Sequence, residues 1–461
     1  MKNLHLFNKE IDFESVKNSL ELPWVSLVED INKVFYMYTY KPNPSVYYKI
    51  EDNILYIRGT KQEGYSERLL FTDVTAAKNG WYSASNKAQI TKAVIEEIIS
   101  PTSCVRFFDG MSGMTTIENI ENLKMDNATD LSAMFQNCNV LTSIGDISDW
   151  NVGNVTNMRF MFNGCNALTS VGDLSKWNVA NVTNMKVMFQ YCYALTSVGD
   201  LSNWNVANVT DMSTVFNSCY VLASIGDLSN WNVANVTDMK ALFECCYSLT
   251  SIGDISGWDV SNVTNMSYMF TDCYTLTSIG NLSKWNVSKV TNMEAMFNSN
   301  DPSKPLILKS IGDLSKWDVS NVTDMHYMFR GCTSLNELNL SSWNTSKVTT
   351  MYEAFSNFIA WNKYTEFSIP KINIPPIPKD CNTDHAFSFD YSLTTIESSG
   401  KISKSLNFQW SPLTHDSAMV LINALDSVNT GTLTLSTATK ETLSAEEIAI
   451  AENKGWTITA A

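Results

Sequence analysis

Trp150, Trp177, Trp204, Trp231, Trp258 and Trp285 are separated by five consecutive steps of 27 residues, and Trp317 and Trp343 follow after steps of 32 and 26. Cys138, Cys165, Cys192, Cys219, Cys246 and Cys273 keep the same interval, with Cys332 further on. Phenylalanine does so from Phe135 to Phe297, then at Phe329 and Phe355. Three residue types on one period mark a chain of stacked units, because a period of 20–50 residues is the signature of repeat architectures. Phe108, Met111, Met114, Ile117, Leu123 and Leu131 precede Phe135, Cys138, Leu141, Ile144, Trp150 and Met158 by the same 27, as a degraded first unit. After Phe297 the cysteine position holds Asn300, and the insertion DPSKPLILK accounts for the step of 32.

Within a unit, Val155, Met158, Phe162, Cys165 and Leu168 are spaced 3, 4, 3 and 3, which predicts one apolar face of a helix. Thr156 is placed to cap its start. Leu168, Val171 and Leu174 lead through the turn signal Gly172-Asp173 to Trp177 and Val179. One short strand plus one short helix or 3₁₀ segment cannot bury its own apolar face, so neighbours must stack. The expected fold class is α/β: a leucine-rich-repeat-like solenoid of about nine rungs, with a small β-rich N-terminal domain and an α/β C-terminal cap.

The run MFxxCxxLTSIGDLSxWNVSNVTNM resembles the repeat of the BspA-like leucine-rich-repeat surface proteins over roughly residues 81–358. The lead-in GWYSASNKAQITKAVIEEIISPTSCVRFFDGMSGMTTIENIENL resembles the segment before the repeats in that family. The resemblance implies adhesion or scaffold roles rather than catalysis.

Four regions are expected: an N-terminal docking segment over 1–44, a β-rich lead-in over 45–103, the solenoid over 104–358, and a proline-rich connection with a C-terminal cap over 359–461. PWVSLVEDINKVFY is strand-like, KPNPS a break, VYYKIEDNILYIR a hairpin about Asp52-Asn53, and Asn79-Gly80 a further turn. After Phe358 the period fails and IPKINIPPIPK reads as extended. A helix is predicted from about Thr414; Ser444 and Glu447 form a capping box, and Gly455 a helix stop.

The formal charge of −15 argues against nucleic acid and anionic membrane, which need clustered Lys and Arg. Hydrophobic residues make up 44% and charged residues 17%, the balance of a folded chain. No apolar run is long enough to insert in a bilayer. Glu10, Asp12 and Glu14 stand where a signal peptide needs its apolar region, and no wall anchor or lipidation box is seen. His5, His326, His385 and His415 lack metal-ligand spacing, and no phosphate loop, dinucleotide fingerprint or nucleophile elbow appears. The sequence therefore predicts no catalytic residue, metal or cofactor.

The repeating columns each have a bland and a sharp reading. The cysteines read as reduced core thiols, against inter-rung disulfides. The six regular tryptophans read as core, against a sugar-stacking stripe. The Asn-Val-Thr sequons at Asn154, Asn181, Asn208, Asn235, Asn262 and Asn321 read as structural. Asp146, Asp173, Asp200, Asp227, Asp254 and Asp313 read as turn acceptors, with shared calcium as the alternative. The residue after each repeat cysteine runs Asn139, Asn166, Tyr193, Tyr220, Tyr247, Tyr274 and Thr333. Tyr193, Tyr220, Tyr247 and Tyr274 are thus a candidate partner-binding stripe, against a reading as mere cover. The role expected is non-enzymatic recognition: an exterior virion appendage of a bacteriophage, since no export signal is seen, or a bacterial surface adhesin, or an intracellular scaffold. Partners would be virion proteins, a host-surface protein or glycan, or a second copy of the chain.

Overall fold

The computed structural model describes residues 4–6, 9–11, 25–30, 33–38, 45–69, 87–356 and 369–461, apart from 302, 389 and 429. The predicted turn at Asn79-Gly80, most of the KPNPS break and Phe358 lie outside the described residues. The strand-like run near the N-terminus forms Val25–Asp30 paired antiparallel with Lys33–Tyr38, and Leu4–Leu6 pairs with Lys9–Ile11.

Asp52 and Asn53 both have positive φ, 50° and 60°, the geometry of a two-residue hairpin turn. They join Ser45–Glu51 to Ile54–Arg58. The latter pairs in parallel with Lys92–Ile95, which pairs in parallel with Thr116–Glu118. With Ser66–Leu69 paired antiparallel on Ser45–Glu51, this five-stranded sheet thus turns an antiparallel hairpin into the first parallel step of the stack. Leu55, Ile57, Ala93 and Ile95 are fully buried on its inner face.

From there each rung lies on the last through parallel bridges, Asp130 to Asn157, Asn157 to Asn184, Asn184 to Asp211 and onward to Thr350 and Asn382. The apolar 3-4-3-3 segment is not a helix. Leu131, Ala133, Phe135 and Asn137 donate their amides to the carbonyls of Asn157, Arg159, Met161 and Asn163 in the next rung, at 2.8–2.9 Å. The amides between them, those of Met134, Gln136 and Cys138, close tight turns onto Leu131, Ala133 and Phe135. The chain alternates lateral and local bonds, and this needs a left-handed residue every fourth position: Ala133 at φ 56° and Asn137 at 58°, then Phe160 at 60° and Gly164 at 74°. An L-residue in that region costs roughly 1–2 kcal/mol. Each lateral bond contributes about 1 kcal/mol, and burial of the apolar side chains adds more. A turn repeat returns apolar side chains to one side every three or four residues, as a helix does. The helix expected over residues 155–168 is therefore corrected to turns and bridges, while the 3₁₀ alternative is found at segments such as Leu174–Lys176 and Leu228–Asn230.

The core runs along the stack as columns. Phenylalanine rings lie near-parallel at 4.6–6.0 Å without a break from Phe108 to Phe408. The stack thus continues through the proline-rich run, where Ile372–Asn373 pairs in parallel with Leu338–Asn339. It closes on a parallel sheet of Leu406–Phe408, Gly431–Leu435 and Trp456–Ala460. The helix His415–Ala424 is capped by Thr414, and Ala445–Glu452 carries the Ser444/Glu447 capping box. No helix among the described residues is long and apolar enough to cross a membrane.

Candidate binding face

Trp150 is 7% exposed and Trp177, Trp204, Trp231, Trp258 and Trp285 are 3–4% exposed, which removes the indole faces from any sugar. From Trp177 to Trp343 each indole Nε1 donates to a leucine or isoleucine carbonyl one rung back, as Trp177 does to Ile147 at 3.0 Å. Tryptophan therefore fills the core and laces adjacent rungs together.

Cys138, Cys165, Cys192, Cys219, Cys246 and Cys273 are fully buried and unpaired with one another by disulfides. Each thiol donates to a phenylalanine carbonyl one rung back, Cys165 to Phe135 at 3.1 Å. Burial pushes the Cys165 thiol up to about 12 and the others in the column well above the usual thiol range.

The polar columns bond between rungs as well as within their own turns. Asn181 Nδ2 donates to the Gly153 carbonyl at 2.7 Å, and its counterparts repeat this up the stack. Thr156 caps no helix; its hydroxyl and amide both reach the Thr129 carbonyl. Asp173, Asp227, Asp254 and Asp313 each accept the amide of the serine two residues on, at 2.9 Å. That backbone bond holds Asp146, Asp200 and Asp254 below the usual carboxylate range. Among the described residues no group of three or more His, Cys, Asp and Glu is placed to hold a metal ion.

The residue after each cysteine of the 27-residue column is at least partly exposed. Tyr193, Tyr220, Tyr247 and Tyr274 stack at 4.7, 4.7 and 5.1 Å, with interplanar angles of 13°, 6° and 21°. All four are half-buried. Rings so stacked cover each other's faces, so the inner ones present their edges outward. Tyr191, exposed and 6.0 Å from the Tyr193 ring, widens the strip at one end. Lys304, brought by the insertion, stands 5.6 Å above the Tyr274 ring at the other.

A hydrogen-bonded side-chain ladder runs along the position three residues before the rings. Gln136 donates to Asn163, Asn163 to Gln190, Gln190 to Asn217, and Asn217 to Glu244 at 2.6 Å. The amide dipoles run one way and end on a carboxylate. Burial, reinforced by nearby Asp272, nevertheless pushes the Glu244 carboxyl up to about 7. Asp272, 4% exposed, accepts the backbone amide and Nδ2 of Asn300 at 2.6 and 3.0 Å. The break in the cysteine column is thus where an amide is needed to satisfy a buried acid. Burial also raises the Tyr247 and Tyr274 hydroxyls, with the Cys245 thiol beside the first and Asp272 beside the second adding to it. The signal was present in the sequence, as Gln136, Asn163, Gln190, Asn217 and Glu244 on the 27-residue period.

A family model described as "Mycoplasma protein of unknown function, DUF285" matches residues 102–224, 194–310 and 307–369, together more than half of the chain. No curated protein matches. A leucine rich cell surface protein from Faecalibacterium prausnitzii A2-165 aligns at 14% identity over 78% of this chain and 95% of that one, with a TM-score of 0.23. The structure described as the TLR13-ssRNA13 complex aligns at 11% identity over 91% and 86%, with a TM-score of 0.16. Neither superposes closely, and the fold rests on the bridges and columns above.

Proposed function

The chain belongs to the DUF285 family, and within it we propose that the protein is a non-enzymatic recognition module of the adhesin type, displayed at a cell surface and binding a host-surface protein or glycan. The tyrosine stripe carries this reading. A core of stacked rungs needs no aromatic ring on the position after the cysteine, since Asn139, Asn166 and Thr333 serve there in other rungs. Four consecutive tyrosines concentrate rigid, amphipathic contact area at the centre of the array, which suits a binding surface. A rigid solenoid also presents such a strip without an ordering cost. The net charge of −15 supports a partner other than nucleic acid. The family's description as Mycoplasma proteins supports a cellular setting over the virion appendage expected from the sequence.

The test uses beads coated with the full chain and applied to mucin-coated and epithelial-cell surfaces. Wild-type beads adhere to at least one surface, and Tyr220→Ala/Tyr247→Ala beads lose most of that adhesion. Equal adhesion by the variant would show the rings to be cover alone.

A further inference from the structure

We propose a second site, a saccharide-binding cleft where the glycine-aspartate ladder stops. In the regular rungs each acceptor at the turn is lidded by the next rung. Gly199, Gly226, Gly253, Gly280 and Gly312 sit so close over Asp173, Asp200, Asp227, Asp254 and Asn281 that a Cβ would overlap the side-chain oxygen. Asp313 is not covered in this way. The following rung runs Asn336-Glu337-Leu338-Asn339-Leu340, without the Gly-Asp pair, and the step to Trp343 shortens to 26. A cleft of about 460 Å³ opens there across several rungs, within the range of small-ligand sites.

Its lining side chains are mostly charged or amide-bearing, Asp313, Glu337, Asn339, Lys371, Asn373 and Glu397 among them, and Lys309 also lines it. The wall is also held in place. Lys371 Nζ lies 3.3 Å from Glu337 and 2.8 Å from Glu397. Asn373 Oδ1 accepts the amides of Glu397 and Ser398, both at 3.0 Å. Three carboxylates repel a phosphate or other anion. The Lys371 ammonium stands between two of those carboxylates, where a simple cation would have to bind. Acceptors and donors are interleaved, and a hydroxyl both donates and accepts. The ligand that satisfies both sets at once is a neutral polyhydroxylated ring, bound through charge-assisted hydrogen bonds to the carboxylates and ammonium groups.

The test is saturation-transfer difference NMR on the full chain with methyl β-glucoside, methyl β-galactoside, methyl α-mannoside and N-acetylglucosamine, with inorganic phosphate as the anionic control. At least one glycoside receives saturation and phosphate does not displace it. Glu397→Gln weakens that glycoside about ten-fold by removing a charged acceptor. Asn336→Trp, which fills the cleft from its exposed rim, abolishes the signal while thermal unfolding stays cooperative. Tyr220→Ala/Tyr247→Ala leaves it unchanged, so this site stands or falls apart from the stripe. Absence of transfer from every glycoside, or transfer that Asn336→Trp leaves intact, overturns the proposal.

Discussion

The indole Nε1 of Trp204 donates to the carbonyl of Leu174, 2.9 Å away in the preceding rung. Trp150, at the start of the same column, is buried, and its Nε1 has no partner among the described residues. Replacing each with phenylalanine removes similar apolar area, but only at position 204 is a hydrogen bond lost. Leu174 keeps the bond from the Trp177 amide, so the difference is one neutral bond lost at 204 plus the relief of an unpaired buried donor at 150, together about 2 kcal/mol. Urea denaturation of Trp150→Phe and Trp204→Phe is expected to show the second as the less stable by that amount. Equal losses would mean the indole bonds contribute nothing beyond packing.

Gly253 sits at φ 81° with the Asp227 carboxylate of the preceding rung against it. Gly253→Ala meets both a left-handed backbone and a steric overlap, and is expected to cost about 2 kcal/mol or more. Adding Asp227→Ala removes the overlap and leaves the backbone cost, so the alanine at 253 becomes less harmful in that background. A double-mutant cycle by thermal unfolding reads the coupling; additive effects would contradict the close approach.

Glu244 gives a pH dependence with a definite sign. Its folded-state carboxyl is pushed up to about 7 from an ordinary value of 4.5, mainly by burial. The folded state therefore holds this proton where the unfolded chain has lost it. Stability from this group is full below about 4.5 and falls as pH rises to about 7. Glu244→Gln keeps an acceptor for Asn217 and removes the charge. It should match wild type at pH 4 and exceed it at pH 8 by ~1–2 kcal/mol, a figure discounted for the partial exposure of the group. A variant less stable than wild type at pH 8 would show that the amide ladder favours the charged carboxylate more than burial opposes it.

The period was fully legible in the sequence, because columns of Trp, Cys and Phe must recur wherever rungs stack in register. The conformation of the rung was not. Left-handed residues usually announce themselves as glycine or asparagine, yet here Ala133, Phe160, Val187, Thr214, Ala241 and Tyr268 take that role. Lateral bonds to the next rung make the conformation affordable, and no local rule sees them. Thr156 misled for the same reason, since its hydroxyl bonds across rungs rather than along the chain. The stack beyond Phe355 escaped because Phe387 and Phe408 follow at uneven steps of 32 and 21, although their rings still stack at 5.1 and 4.6 Å. Of the two candidate sites, the stripe could be read from one column, whereas the cleft depends on a single missing residue and on chain that returns from position 371 onward.

The central claim is that the stripe rides on one stack of interchangeable 27-residue rungs, and deletion of residues 194–220 tests it most directly. This removes one whole rung and leaves Tyr193 followed, 27 residues later in the shortened chain, by the former Tyr247. Nearest-neighbour stacking predicts a folded chain with one interface fewer, a single cooperative unfolding transition and weakened adhesion in the bead assay. A control deletion of residues 194–213, out of register, should fail to fold. If both deletions unfold alike, or if the in-register deletion adheres as wild type does, the account is contradicted.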